Sequence, residues 1–167
     1  LGVYTTLVRA VPELVLILIL YFALSDAVNK LIATWGYGPI QINGVIAGIA
    51  VLGIVQGAYS TEVLRGAILS VPAGQIEAAR AMGMSPTLLA RRVTLPLMTS
   101  AAVPGLANLW LTVTKDTALL AVVGFIELTK ATSLAAATTK AFFTFFMAGG
   151  VLYLLLSLVS TVVFHRI

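Results

Sequence analysis

With 167 residues, 60% of them hydrophobic and only 10% charged, and a mean hydropathy of +1.07, this is a chain whose natural solvent is lipid. Its formal charge of +4 would suggest nucleic acid in a soluble protein, but the basic residues flank apolar segments, so membrane topology accounts for them and no nucleic-acid partner is expected. Cysteine is absent, which excludes a disulfide framework and a thiolate metal site; no cofactor is expected.

A crossing takes about 20 residues, so the length allows about four or five spans in one all-α, polytopic membrane domain over 1–167. The first apolar segment runs from about Leu7 to Leu24 and carries Arg9, Pro12 and Glu13. A polar loop is expected from Ser25 to Asn43, with Asp26, Lys30, Trp35 and a Gly36-Tyr37-Gly38-Pro39 turn, its Trp and Tyr suited to an interfacial belt. The second segment, about Gly44 to Leu64, ends in Gln56, Tyr59 and Glu62. It pairs Gly44 with Gly48 and Gly53 with Gly57, a spacing that fits either a subunit interface or ordinary membrane-helix glycine. A polar stretch from 66 to 94 precedes a third span from 97 to about 115, which contains Pro104 and Asn108. The apolar run from Thr117 to Ile126 is too short to cross, and Glu127 to Lys140 reads as another polar loop. From Phe142 to Phe164 no residue is ionisable, and this segment is a span on hydropathy alone.

Four crossings put Arg9, Arg65, Arg80, Arg91, Arg92 and Arg166 on one side and Lys30, Lys130 and Lys140 on the other. The arginine side is then cytoplasmic, the 66–94 loop with it, and Ser25 to Asn43 faces outward. His165 beside Arg166 marks the cytoplasmic end of the last span.

The cytoplasmic loop has its own local grammar. Ser70-Val71-Pro72 and Ser85-Pro86 each place a capping serine before a proline, whose missing N–H is harmless in a first helical turn. Ile76 to Met82 is rich in helix formers, and Gly83 is a natural stop. Thr87 to Val93 makes a short basic helix before Leu95-Pro96 opens the next span. Methyl side chains at Ala78 and Ala79 let a short helix sink into a groove on another protein. Glu77 and Arg80 are spaced either to pair within the helix or to meet a partner's charges. Read from these residues alone, a helix lying on headgroups or on its own bundle fits slightly better, because a single amphipathic turn does not require a partner.

The set Glu77-Ala78-Ala79, Gly83 and Val93-Thr94-Leu95-Pro96 resembles the EAA loop of bacterial ABC importer permeases, with Val93 where isoleucine is usual. Gly57-Ala58-Tyr59, Val71-Pro72-Ala73-Gly74-Gln75 and Lys115-Asp116-Thr117-Ala118-Leu119 look like the polar amino acid branch of that family. Tyr4-Thr5-Thr6-Leu7-Val8-Arg9, Lys130-Ala131-Thr132 and Val151-Leu152-Tyr153-Leu154 resemble one of the paired permeases of histidine/lysine/arginine/ornithine and opine importers. Many relatives have Arg-Gly-Thr-Pro where this chain has Arg9-Ala10-Val11-Pro12. The resemblance implies a type I importer permease fold in the bacterial inner membrane and an additional first helix. The chain opens on Leu1 rather than Met, so a trimmed amino terminus is expected. Implied partners are an ABC ATPase dimer, gripped through Glu77, Ala78, Ala79, Arg80 and Gly83, a second permease subunit in a heterodimer, an external solute-binding protein and the bilayer.

Ionisable groups inside a span cost about 2.5 to 3.5 kcal/mol each and so face a cavity or a partner. Glu13 either bridges to Arg9 structurally, the favoured reading, or offers a carboxylate to a cationic substrate. Lys115-Asp116 lies ~30 Å along a straight helix beyond Pro96, near the outer interface, where it is either an interfacial pair or part of the pathway. Glu62 and Arg65 tie the inner end of the second segment to the loop. No phosphate-cradling glycine loop is present, so ATP hydrolysis would belong to a separate subunit and the chain is not read as an enzyme. A secondary transporter or a membrane scaffold subunit is the alternative. The first would show inverted repeats around a midplane ion site, which this sequence lacks.

Overall fold

The computed structural model describes residues 2–38 and 44–164. Among them there is no strand. Helix α1 (Gly2–Ala10) ends at Val11-Pro12, and α2 (Glu13–Thr34) restarts directly after it. Proline forces this break: it disfavours helical geometry in the residue before it and has no N–H to donate. Its carbonyl still accepts from Leu16 N–H at 3.0 Å, so the new helix starts on Pro12.

The expected loop from Ser25 is helical as far as Thr34. Lys30 and Asp26 pair at 2.6 Å on successive turns, which supports helix where composition suggested a loop. The stop comes at Gly36, whose φ of +80° lets Trp35 and Tyr37 N–H both return to the Ile32 carbonyl. Trp35 and Tyr37 are exposed at this helix end. Pro39 and the rest of the expected loop to Asn43, with His165 and Arg166, lie outside the described residues.

Helix α3 (Gly44–Leu69) is the axis of the bundle and runs beyond the expected Leu64. After it come α4 (Ala73–Ala81), α5 (Pro86–Leu89), a π-helical turn (Ala90–Thr94) and α6 (Leu95–Asp116), continued by a 3-10 helix (Thr117–Val123). Gly124, at φ +86°, ends that rod. The expected loop from Glu127 is instead helix α7 (Leu128–Thr139), because the Glu127 carboxylate caps it, accepting from Thr129 and Lys130 N–H at 2.6 Å each. The same carboxylate accepts from the Tyr153 hydroxyl at 3.1 Å, tying α7 to α8 (Phe142–Phe164). Four helical stretches are long and apolar enough to cross a membrane: Glu13–Thr34, Val45–Leu69, Pro86–Val123 and Phe142–Phe164.

Packing is tightest where α3 meets α6 and its 3-10 continuation. Ile17, Val51 and Leu120 form one buried cluster, and Val8, Val55 and Ala58 another. Gly48 lies under Leu120, and Gly57 lies beside the Tyr4 hydroxyl, which donates to the Ile54 carbonyl. These two glycines therefore serve contacts within the chain, whereas Gly53 meets nothing within 4 Å. Most large apolar side chains of α8 face outward, as a lipid surrounding allows.

The glycine contacts rank by stiffness. A β-carbon at Gly105 would stand 2.6 Å from Val63 Cγ1, on a β-branched side chain with little rotamer freedom; at Gly48 it would meet a mobile Leu120 methyl at 2.8 Å. Gly105→Ala is expected to destabilise the detergent-solubilised protein by about 1–3 kcal/mol, Gly48→Ala by less, and Gly53→Ala negligibly, read as the order of thermal midpoints.

Candidate coupling loop and an acidic cluster in the bundle

In the loop between α3 and α6, the two serine-proline signals act differently. Ser85 caps α5, accepting Leu88 N–H at 3.4 Å with Pro86 in the first turn. Ser70 does not cap α4; its hydroxyl donates to the Ala67 carbonyl at 2.8 Å and closes α3, while Pro72 occupies the cap position without a side-chain bond. Gly83 ends α4 at φ +76°, with its N–H on the Arg80 carbonyl at 2.9 Å and Met84 N–H on that of Ala79 at 3.2 Å.

Glu77, Ala78 and Arg80 are exposed, and Glu77 and Arg80 form no ion pair with each other among the described residues. Ala79 differs: at 4% exposure it is buried within this chain, so its methyl serves the loop's own packing rather than a groove on another protein. Helix α4 rests on α5 and on the π-turn, and Arg91 and Arg92 stand exposed on that turn.

A second polar constellation joins α1 to α3. Arg9 does not bridge to Glu13. The break at Pro12 separates them, and the Arg9 guanidinium instead sits 3.7 Å from Glu62 and over the Tyr59 ring at 5.9 Å. Arg65 reaches the same Glu62 oxygen through Nε at 3.0 Å and Nη2 at 2.7 Å, the pairing its spacing predicts. These residues border a cavity of about 870 Å3 that Thr5, Thr61 and Ile68 also line.

Glu13, freed from Arg9, lies close to the Tyr59 hydroxyl and to the Asp116 carboxyl. Gln56 Nε2 donates to Asp116 Oδ2 at 3.3 Å. Three helices, α2, α3 and α6, thus bring two carboxyls, an amide and a phenol together, each side chain partly buried. Side-by-side carboxyls concentrate negative potential in a low-dielectric surrounding, which favours a cation between or beside them. Gln56 also borders a largely apolar groove of about 300 Å3 with Gly53, Ser60, Leu106 and Trp110.

Asp116 is therefore not at the outer end of the bundle. It faces Gln56, midway along α3, because its helical rod begins at Pro86 rather than beyond Pro96 and the lower turns belong to the loop. Its neighbour Lys115 is exposed and stands apart from the cluster. Gln56 and Tyr59 carried a signal in the sequence: they share one helix face three residues apart, in a segment otherwise apolar up to that point. Their meeting with Glu13 and Asp116 is long-range and left no trace in spacing.

Residues 1–167 match the family model described as binding-protein-dependent transport system inner membrane component. The chain is 43% identical over 157 residues to the histidine/lysine/arginine/ornithine transport system permease protein HisQ of Escherichia coli, covering 94% of this chain and 69% of that one. It is 44% identical over 164 residues to the nopaline transport system permease protein NocQ of Agrobacterium fabrum, covering 95% and 68%. Its structure resembles a chain in the crystal structure of an amino acid ABC transporter with histidines, at a TM-score of 0.81 and 28% identity over 99% of this chain and 72% of that one. The all-α bundle, its four membrane-length helices and the match along the whole sequence place this chain in the family of inner membrane components of binding-protein-dependent transport systems.

Proposed function

We propose that this chain is a permease subunit of an ATP-driven importer for basic amino acids or opines in the bacterial inner membrane. It pairs with a second, similar permease, docks an ABC ATPase dimer through the loop carrying Glu77, Ala78, Arg80 and Gly83, and receives substrate from an external binding protein. The observation that carries this reading is the position of Asp116, hydrogen-bonded to Gln56 at mid-bundle with Glu13 nearby and joined to that loop by a single helical rod. The names of the relatives supply the substrate class: histidine, lysine, arginine and ornithine for one, nopaline for another.

The chemistry of the cluster fits such a cargo. A cationic ammonium or guanidinium group lying against Glu13 and Asp116 replaces carboxyl–carboxyl contact with charge-assisted hydrogen bonds. Gln56 holds Asp116 from α3, and Tyr59 of the same helix lies beside Glu13. Closure of the ATPases moves the docked loop, the rod carries that movement to Asp116, and the cluster alternates between inward and outward access.

Two measurements test this. Asp116→Asn and Glu13→Gln each remove one charged hydrogen-bond acceptor, worth about 1.5–3 kcal/mol, and are expected to weaken radiolabelled arginine uptake by about 10- to 100-fold in apparent affinity. Unchanged apparent affinity in both variants would remove the cluster from the pathway. At Gly83 a proline cannot adopt a φ of +76°, so Gly83→Pro must reshape the loop although nothing lies within 4 Å of that position. The expected result is a protein that still inserts in the membrane but no longer couples ATP hydrolysis to uptake, an effect that full transport by this variant would contradict.

A further inference from the structure

Between the loop and the acidic cluster the rod from Pro86 to Val123 is continuous, yet its winding changes twice. At one end Ala90–Thr94 is π-helical, and at the other Asp116 is the last α-helical residue before the 3-10 stretch. The wide turn has an identifiable cause. Pro96 offers no N–H to the Arg92 carbonyl, and its ring would collide with that carbonyl in regular α winding. Leu95 N–H reaches back five residues instead, to the Ala90 carbonyl. No residue of the turn is fully buried; α4 rests on it and only Val93 and Thr94 are half-buried, so little packing opposes a change of winding.

A π-turn contains one residue more than an α-turn of similar rise. Releasing that residue into α winding lengthens the helix by about 1.5 Å and rotates one flank against the other by up to about 100°. The upper flank ends at Asp116, whose bond to Gln56 is long, at 3.3 Å, and breaks under a small rotation. The lower flank is α5, against which α4 and its exposed Glu77 and Arg80 rest.

We propose that the π-turn at Ala90–Thr94 is a swivel that converts displacement of the α4–α5 loop into rotation of α6, and so moves Asp116 relative to Glu13 and Gln56. This rests on the coupling-loop reading above and adds to it a location for the moving joint. The rest of α6 then needs no bending, because the change in winding is confined to one turn, on which α4 itself rests.

The chain has no cysteine, so the joint can be clamped selectively. Ala90 and Leu95, the two ends of the π hydrogen bond, are both exposed. In the assembled complex reconstituted in proteoliposomes, Ala90→Cys with Leu95→Cys is bridged by a short bis-methanethiosulfonate, with each single variant given the same reagent. Bridging is expected to lower arginine uptake at least tenfold against the single variants, with the ATPase still bound and uptake restored by reductant. Uptake at the single-variant rate in fully bridged complex overturns the swivel. If the unmodified complex carries no ATPase at all, the coupling reading itself fails, a result distinct from the first. Because bridging acts on folded, assembled protein, misfolding cannot imitate the expected result. As an independent check, deleting Ala90 together with Pro96→Ala removes the wide turn while keeping the register of both flanks. Wild-type uptake by that variant also overturns the proposal.

Discussion

Polar groups in a hydrocarbon surrounding must find partners inside the protein, and here that demand sets where three helices cross. Glu13, Gln56, Tyr59 and Asp116 would each be costly alone at bundle depth. Gathered together, they mark the height at which α2 meets α3, and the Gln56–Asp116 hydrogen bond ties α3 to α6 there. The apolar contacts then agree with that alignment: Gly105 opposes Val63, Asp116 opposes Gln56, and Leu120 covers Gly48 in antiparallel order.

The same demand explains the charged end of the bundle. Glu62 takes Arg9 from α1 and Arg65 from its own helix, so one carboxylate anchors a short helix that is cut from α2 by Pro12. At the far side Glu127 performs the matching task, capping α7 and accepting from Tyr153 on α8. Both carboxylates join elements that apolar packing in lipid holds weakly, since lipid tails compete for apolar surface as readily as a neighbouring helix does. Between these anchored ends, the rod from Pro86 to Val123 carries the chain from the loop to the acidic cluster.

Some local features were legible because their cause was local. Ser85-Pro86 and Gly83 dictate backbone geometry within a turn or two, and α5 and the end of α4 follow them. The break at Pro12, in contrast, falls inside the expected Leu7–Leu24 segment, and Ser70 closes α3 instead of capping α4. The uninterrupted apolar stretch of α8 needed no context. Polarity misled where it was mistaken for irregular structure. Residues 25–34 and 128–139 are helical because an Asp26–Lys30 pair and a Glu127 cap support helix, and polar side chains are compatible with it wherever they face solvent or a partner.

Sequence alone therefore determined the class of this protein: an all-α membrane bundle with a helical loop built around Glu77-Ala78-Ala79 and Gly83, because hydropathy and turn chemistry act over a few residues. Only the tertiary structure decided the partners of its charges. Arg9 turned to Glu62, Ala79 turned into its own chain, and Asp116 came to Glu13 and Gln56 at mid-bundle rather than to Lys115 at the rim. Those choices depend on the relative height of helices far apart in the chain. That height is a sum of many packing contacts and the pairing of polar groups, and no spacing within one helix encodes it.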